Sequence, residues 1–405
     1  MKCGLLGRKL GHSYSPQIHS LLGDYSYELF EKEPEELADF LKNGGFHGLN
    51  VTVPYKKAVI PFLDELTPVA QRLGAVNTIV RRDGKLIGHN TDYFGFQMLL
   101  DTLPVAVAGK KALVLGSGGA SNTAVAVLQD RGADVVVISR TGENHYENLH
   151  LHKDAQLIVN TTPVGMYPNN GSSPLGLAQF PALQGVVDVI YNPARTQLLL
   201  EAEKRIEVAT ANGLLMLVAQ AKEAAEWFTG SVISDAVILP ILHKLERQMQ
   251  NIILIGMPGC GKSTIARIIA EKTGKTLADA DEWIVKLAKK TIPDIFAQDG
   301  EEVFRDWETQ ALEQLGKQSG LVIATGGGCV TQRRNYDLLH QNGVIFWICR
   351  DLAALPTEGR PLSQQNRLEE LYRIREPMYR SFMDHRIENL DTPEAAADKI
   401  LEVLL

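Results

Sequence analysis

Short runs of apolar residues recur along the chain, each broken by glycine, proline or small polar residues. Lys2 to Leu6, Gly48 to Val53, Lys111 to Leu115, Val135 to Ile138, Ile158 to Thr162, Val186 to Tyr191, Ile252 to Ile255 and Leu321 to Ala324 read as strands. Pro54 ends the second of them, because it has no N–H for a ladder. Helical signals lie between. Ser15–Pro16 reads as a cap and first position for a helix over about Gln17 to Leu22. A second helix follows Ser121 to about Arg131 and stops at Gly132, and a long one starts at Ala211–Asn212–Gly213. Ile265, Ile268 and Ile269 form an apolar stripe that Gly274 ends. Lys244 to Gln250 is polar and helical, so it is a short connector and not a flexible tether. Strands alternating with helices predict an α/β chain.

The length, 405 residues with 45% hydrophobic, is enough for two to three domains, each with its own core. Up to Gln250 there are 22 basic and 25 acidic residues, and beyond it 19 and 23. Neither part has the positive footprint of a nucleic-acid binder. The four cysteines (Cys3, Cys260, Cys329, Cys349) lack metal-ligand spacing and read as reduced thiols. No apolar run reaches membrane-spanning length, and the N-terminus lacks a secretion-signal core, so a cytoplasmic location is expected. Monomer and homodimer both stay open.

Ile252 to Thr264 carries the sharpest chemistry. Gly256, Gly261, Lys262 and Ser263 fit G-x-x-x-x-G-K-[ST] between a buried strand and a helix. Backbone N–H groups of Gly259, Gly261 and Thr264 are placed to cradle phosphates at the helix N-terminus. Lys262 can reach the β/γ-phosphates and Ser263 can ligate Mg²⁺. Further on, Asp279 and Asp281 form a D-x-D at a strand end. One carboxylate suits Mg²⁺ and the other can accept a substrate hydroxyl proton. Arg305 and Glu308 are three apart on one helix face. Gly326–Gly327–Gly328 lets a ligand ring approach the backbone.

The first hundred residues place small polar groups at the ends of apolar runs. Ser13, Ser15, Thr52, Asn77 and Asp92, with the amine of Lys56, form a set that suits a small polyhydroxy acid. Then comes Gly116–Ser117–Gly118–Gly119–Ala120–Ser121 after a strand, a βαβ opening with small residues for close approach to a pyrophosphate. An NAD-binding chain places Asp or Glu after the second strand. Here Ser139–Arg140–Thr141 stands there, and a guanidinium suits a 2′-phosphate, so NADP(H) is the expected cofactor.

H-S-x-S-P-x-x-H, N-V-T-V-P-x-K, G-A-V-N-T and N-T-D resemble shikimate dehydrogenase, and the likeness covers roughly the first 245 residues. It implies a substrate domain over 1–100 completed by helices 213–245, and a Rossmann NADP domain over 101–212. It implies that Ser13, Ser15, Thr52, Asn77 and Asp92 hold shikimate and that Lys56 and Asp92 are the catalytic pair. It also places Tyr191 and Gln220 at the substrate and Gly213 near the nicotinamide. Tyr93 stands where that family usually has Gly, so its ring is expected to narrow the substrate pocket or alter its shape.

The P-loop with D-x-D, G-E-x-x-F-R-x-x-E and G-G-G in this order resembles shikimate kinase, over almost all of 250–405. The resemblance implies a nucleoside-monophosphate-kinase-like parallel-sheet domain in which Asp281, Arg305, Gly327 and Arg375 bind shikimate. Asp281 is the implied base, Lys262 and Arg360 neutralise the phosphoryl group of ATP, and Ser263 with Asp279 hold Mg²⁺. The stretch from Cys349 to Arg360 is shorter than that family's lid, so looser nucleotide binding is expected. The expected whole is a bifunctional enzyme of chorismate biosynthesis. Its rivals are an NAD-using quinate dehydrogenase-like front half, and a P-loop half that binds nucleotide without turnover.

Overall fold

The computed structural model describes residues 1–11, 13–355 and 365–404. The chain separates into two units, one of Met1–Met166 with Ser172–Lys244, the other of Tyr167–Gly171 with Leu245–Leu405.

The first unit holds two sheets. One comprises β1 (Lys2–Gly7), β2 (Ser26–Glu31), β3 (Gly48–Val51), β4 (Glu65–Leu66), β5 (Thr78–Arg82) and β6 (Lys85–His89). Their order is β2-β1-β3-β5-β6-β4, with β5 antiparallel to both β3 and β6. Helices α1 (Ser15–Leu22), α2 (Leu37–Asn43), α3 (Pro68–Leu73) and α4 (Asp92–Asp101) accompany it. The apolar runs become its core: Leu6, Leu41, Leu49, Val76 and Ile79 are fully buried in one cluster. Each such side chain contributes roughly 2 kcal/mol of burial energy.

Two local expectations change here. Ser15 is the first residue of α1 and not its cap; the hydroxyl of Ser13 accepts from the Ser15 N–H instead, at 3.2 Å. Strand β3 stops at Val51, short of Val53. The chain turns at once, Tyr55 N donating to Thr52 O at 2.9 Å, and Val53 is exposed.

The second sheet is wholly parallel: β7 (Lys111–Leu115), β8 (Asp134–Ile138), β9 (Leu157–Asn160), β10 (Gly185–Asp188) and β11 (Ala209–Asn212), ordered β11-β10-β9-β7-β8. Helices α5 (Gly119–Asp130) and α6 (Gln197–Glu203) cross between strands. The order reverses at β7, which puts the crevice at the carboxyl ends of β7 and β9. Residues 211–212, expected to open a helix, instead finish β11. The long helix α7 runs Leu214–Thr229. It packs flush on the first sheet: a Cβ on Gly48 would stand 2.2 Å from the Phe228 ring.

In the second unit, β12 (Asn251–Ile255), β13 (Thr276–Asp279), β14 (Leu321–Ala324), β15 (Gly343–Cys349) and β16 (His385–Glu388) form a parallel sheet ordered β13-β14-β12-β15-β16. Helix α8 (Ile238–Met249) contains the boundary between units. Around the sheet lie α9 (Lys262–Thr273), α10 (Ala280–Ala288), α11 (Ile292–Gln298), α12 (Gly300–Gly316), α13 (Arg334–His340), α14 (Gln365–Phe382) and α15 (Pro393–Val403). The α/β architecture with parallel sheets is the one that the strand and helix pattern predicts. Among the described residues no helix is long and apolar enough to cross a membrane.

Candidate active sites

In the first unit a cavity of about 290 Å³ opens between the two sheets. Ser13, Ser15, Thr52, Lys56, Asn77 and Asp92 all line it, and so do Tyr191, Gly213 and Gln220. Residues up to 207 positions apart in sequence thus converge as the two motif sets predict. Lys56 Nζ donates to Asp92 Oδ2 at 2.6 Å. Asp92 is buried where β6 hands over to α4, and Lys56 sits in the turn after β3. Asn77 organises that handover: its Oδ1 accepts from Thr91 N at 2.7 Å, and its Nδ2 donates to Thr91 Oγ1 at 3.0 Å. The Thr91 hydroxyl in turn donates to Gln220 Oε1 at 3.3 Å, tying α7 to the same turn. Burial raises the phenol of Tyr191, which keeps it protonated and able to donate.

Tyr93 does not enter this cavity, contrary to expectation. Its hydroxyl donates to Asp130 at the end of α5. Its position in the first turn of α4 directs it to a different face from Asp92, because adjacent helical residues diverge.

The dinucleotide loop is built for an anion. Gly116 has φ +112°, and a Cβ there would meet Thr161 Oγ1 at 2.8 Å. Gly118 caps α5, Gly119 and Ala120 open it, and Ala120 faces the cavity. Ser121, which replaces the last glycine of the fingerprint, donates its hydroxyl to Gly116 O at 2.7 Å and so closes the turn. Ser139, Arg140 and Thr141 follow β8, with Arg140 and Thr141 exposed. Gly213 has no room for a side chain; a Cβ would stand 2.0 Å from Val189 O. These cradles fit a dinucleotide laid across the carboxyl ends of the sheet.

In the second unit a cavity of about 500 Å³ is lined by Gly259, Gly261, Lys262, Ser263 and Thr264 on one side. Asp281, Arg305, Gly327 and Arg375 line the other. Gly256, Gly259 and Gly261 have φ of +145°, +83° and +104°, conformations only glycine adopts freely. Lys262 folds onto the loop, donating to Gly256 O at 2.9 Å and Met257 O at 3.0 Å. Asp279 caps α10 with one oxygen, and its other accepts from Ser263 Oγ at 3.1 Å. A hydroxyl and a carboxylate beside a phosphate cradle fit Mg²⁺, which takes few protein ligands and keeps its waters. No cluster of three or more His, Cys, Asp or Glu suited to a metal occurs among the described residues.

Arg305 Nη1 donates to Glu308 at 2.8 Å and Nη2 to Glu301 at 3.0 Å. Burial works against its charge, but the two carboxylates outweigh this and hold the guanidinium above its ordinary value. Its plane lies over Gly328, where a Cβ would come within 2.2 Å of Nη1. Arg375 Nη1 donates to Gly327 O at 3.1 Å.

Arg360 and the part of the expected short lid from residue 356 onward lie outside the described residues. No site role follows from the sequence for Asn50 in the first cavity, or for Ile292, Phe296, Phe304 and Arg350 in the second. Asn50 stands in N-V-T-V-P-x-K and Phe304 in G-E-x-x-F-R-x-x-E, where their neighbours carry the assigned roles. Ile292 and Phe296 belong to no motif, and Arg350 carries only the signal of a cation one residue past a strand.

Two family models match: "Shikimate dehydrogenase substrate binding domain" over residues 5–79, and "Shikimate kinase" over residues 258–405. A shikimate dehydrogenase (NADP(+)) of Clostridium perfringens is 36% identical over 265 residues, 60% of this chain and 97% of that protein. The crystal structure of a chorismate mutase/shikimate 5-dehydrogenase fusion protein from Clostridium acetobutylicum has 36% identity and TM-score 0.58. It matches over 60% of this chain and 97% of its own. Shikimate 5-dehydrogenase from Thermus thermophilus, in complex with NADP(H) and shikimate, has 31% identity and TM-score 0.54, over 60% of this chain and 99% of its own. The chain therefore belongs to the shikimate dehydrogenase family, and a shikimate kinase domain follows in the same polypeptide.

Proposed function

We propose that the chain catalyses two consecutive reactions, reduction of 3-dehydroshikimate to shikimate with NADPH and phosphorylation of the shikimate 3-hydroxyl with ATP. The observation that carries the first is the Lys56–Asp92 pair, 2.6 Å apart in a cleft lined by hydroxyls and amides beside a dinucleotide cradle. The Thermus relative binds NADP(H) and shikimate together, which supports the same ligands here.

When bound, NADPH supplies the hydride to the ring carbonyl carbon. Lys56 donates the proton to the carbonyl oxygen as negative charge develops there, and Asp92 orients the ammonium and accepts from a ring hydroxyl. Ser13, Ser15, Thr52 and Asn77 hold the carboxylate and remaining hydroxyls, with Tyr191 and Gln220 closing the far wall. Gly213 leaves space for the nicotinamide. Arg140 with Ser139 and Thr141 binds the 2′-phosphate, through charge-assisted hydrogen bonds. Division into a substrate domain over 1–100, completed by 213–245, and a dinucleotide domain over 101–212 places this chemistry between the two. The kinase domain spans 250–405.

In the kinase domain Arg305 and Arg375 hold the shikimate carboxylate, and Gly327 lets the ring approach the backbone. Asp281 accepts the proton of the attacking hydroxyl. Lys262 swings from its loop carbonyls to the transferring phosphoryl group, joined by Arg360. Ser263 and Asp279 hold Mg²⁺, which neutralises phosphate charge.

Incubating the chain with 3-dehydroshikimate, NADPH and Mg·ATP should yield shikimate and then shikimate 3-phosphate. Product stopping at shikimate sinks the kinase half of the reading. A strong preference for NADH over NADPH sinks the role given to Arg140.

A further inference from the structure

Asp130, the last residue of α5, joins three helices of the first unit. Its carboxylate accepts both arms of the Arg72 guanidinium, Nη1 to Oδ2 at 2.7 Å and Nη2 to Oδ1 at 2.8 Å. It also accepts the Tyr93 hydroxyl. Arg72 belongs to α3, and Tyr93 to the first turn of α4, directly after Asp92. Two further bonds run alongside: Asn122 Nδ2 donates to Leu73 O at 3.0 Å, and Arg131 Nη2 pairs with Asp101 Oδ1 at 2.8 Å. All of them tie α5, or the residue that caps it, to helices of the other sheet.

Helix α5 thus reaches Lys56 at one end and the residue after Asp92 at the other. Its first residue, Gly119, lies against Lys56; a Cβ there would stand 3.8 Å from Lys56 Cδ. Its last residue holds the neighbour of Asp92. A bidentate guanidinium–carboxylate pair fixes direction as well as distance. Arg72 and Asp130 are both substantially exposed, so their pairing adds little to stability. Its value is geometric. The hydrogen bond from Arg72, with that from Tyr93, holds the Asp130 carboxyl down to about 2, so it is ionised at any working pH.

We propose that Asp130 is a positioning residue for the dehydrogenase reaction, setting through Arg72 and Tyr93 the spacing between the dinucleotide loop at the start of α5 and the Lys56–Asp92 pair. The inference rests on the dehydrogenase reading above. Misplacing a reacting centre by about 1 Å can cost on the order of 100-fold in rate, so a clamp remote from the chemistry has leverage on it.

The test uses the full chain carrying Asp130→Asn, Tyr93→Phe or Arg72→Met, and the Asp130→Asn/Tyr93→Phe pair. Reduction of 3-dehydroshikimate is followed with NADPH and with 4-deuterated NADPH, and phosphorylation of shikimate is measured on the same samples. Asp130→Asn should lower the dehydrogenase kcat about 10-fold and raise the deuterium isotope effect, with KM for the acid within about two-fold. The kinase rate should stay unchanged. Tyr93→Phe and Arg72→Met should do the same to a lesser degree, and the double variant should be no worse than Asp130→Asn alone, because both act through one carboxylate. Unchanged kcat and isotope effect in all three single variants would overturn the proposal. So would a lower kcat with an unchanged isotope effect, which reports fewer folded molecules. Should Asp130→Asn fail to fold, Tyr93→Phe, which loses one hydroxyl, decides alone. An inactive wild-type dehydrogenase is a different failure: it removes the underlying reading, and the proposal with it.

Discussion

Arg305 and Glu308 lie one turn apart on α12, with Nη1 to Oε2 at 2.8 Å and the Glu308 side chain wholly buried. Burial pushes the Glu308 carboxyl up, and the Arg305 charge opposes that rise. Its other oxygen, Oε1, has no hydrogen-bond partner. Through Oε2 the carboxylate holds the Arg305 guanidinium at the cavity that both residues line. Removing one partner of a buried pair typically costs about 3–5 kcal/mol, because the other charge is left stranded. Arg305 keeps exposed Glu301, so Glu308→Gln should fall at the lower end. Its main effect should be a raised kinase KM for shikimate with KM for ATP little changed. An equal rise in both constants would assign Glu308 to general stability instead.

Lys56 and Lys262 separate the two activities within one polypeptide. Lys56→Ala strips Asp92 of its 2.6 Å partner and removes the proposed proton donor. Dehydrogenase activity should drop by about 100-fold or more, with phosphorylation intact. Lys262→Ala should do the reverse, since it removes the cation that reaches the transferring phosphate. Retained shikimate 3-phosphate formation in Lys262→Ala protein would sink the assignment of the P-loop site.

What could be read from the chain beforehand follows from how local each constraint is. The phosphate loop was legible because three positive-φ glycines, a lysine and a hydroxyl must occupy closely spaced positions. The polar cup of the first cavity was legible because its members sit in short motifs at strand ends. Strand β11 escaped because Ala209–Asn212 carries small, half-buried residues without an apolar run. The Tyr93 contact is not legible in the chain because sequence adjacency to Asp92 says nothing about which face a helical side chain takes. Its partner Asp130 is 37 positions away, and Arg72 lies 58 from Asp130. Such contacts exist only once the helices have packed.

Gly213 is a sharp steric test of the dinucleotide crevice. It caps α7 just after β11, and a Cβ would stand 2.0 Å from Val189 O and 2.5 Å from Val189 C. Its φ of −76° is ordinary, so the constraint is space and not backbone strain. Rigid backbone cannot yield as a flexible side chain does. Gly213→Ala should cost about 1–3 kcal/mol by overpacking, and should raise KM for NADPH because Val189 and Gly213 both line the cavity. Wild-type thermal stability and wild-type KM in this variant would show that the two segments separate more readily than their contact implies.

Asp188 gives the first unit a pH dependence of its own. It ends β10 fully buried and accepts from Asn160, Thr196 and Ile190. Burial pushes its carboxyl up to about 6, against the opposing pull of those three donors. A folded value above the ordinary 3.8 means the native state binds the proton more tightly than the unfolded chain. Its contribution is thus fully present below about pH 4 and is lost as pH rises through about 6, amounting to roughly 3 kcal/mol. Asp188→Asn removes the titration, although it adds a constant offset because an amide N–H₂ must face donors. The stability difference, wild type minus variant, should therefore fall between pH 4 and pH 7 and then level off. The midpoint of thermal inactivation of the dehydrogenase, measured for both proteins across that range, checks this. A difference that stays flat, or that grows with pH, would mean that the three donors hold the carboxylate ionised in spite of its burial.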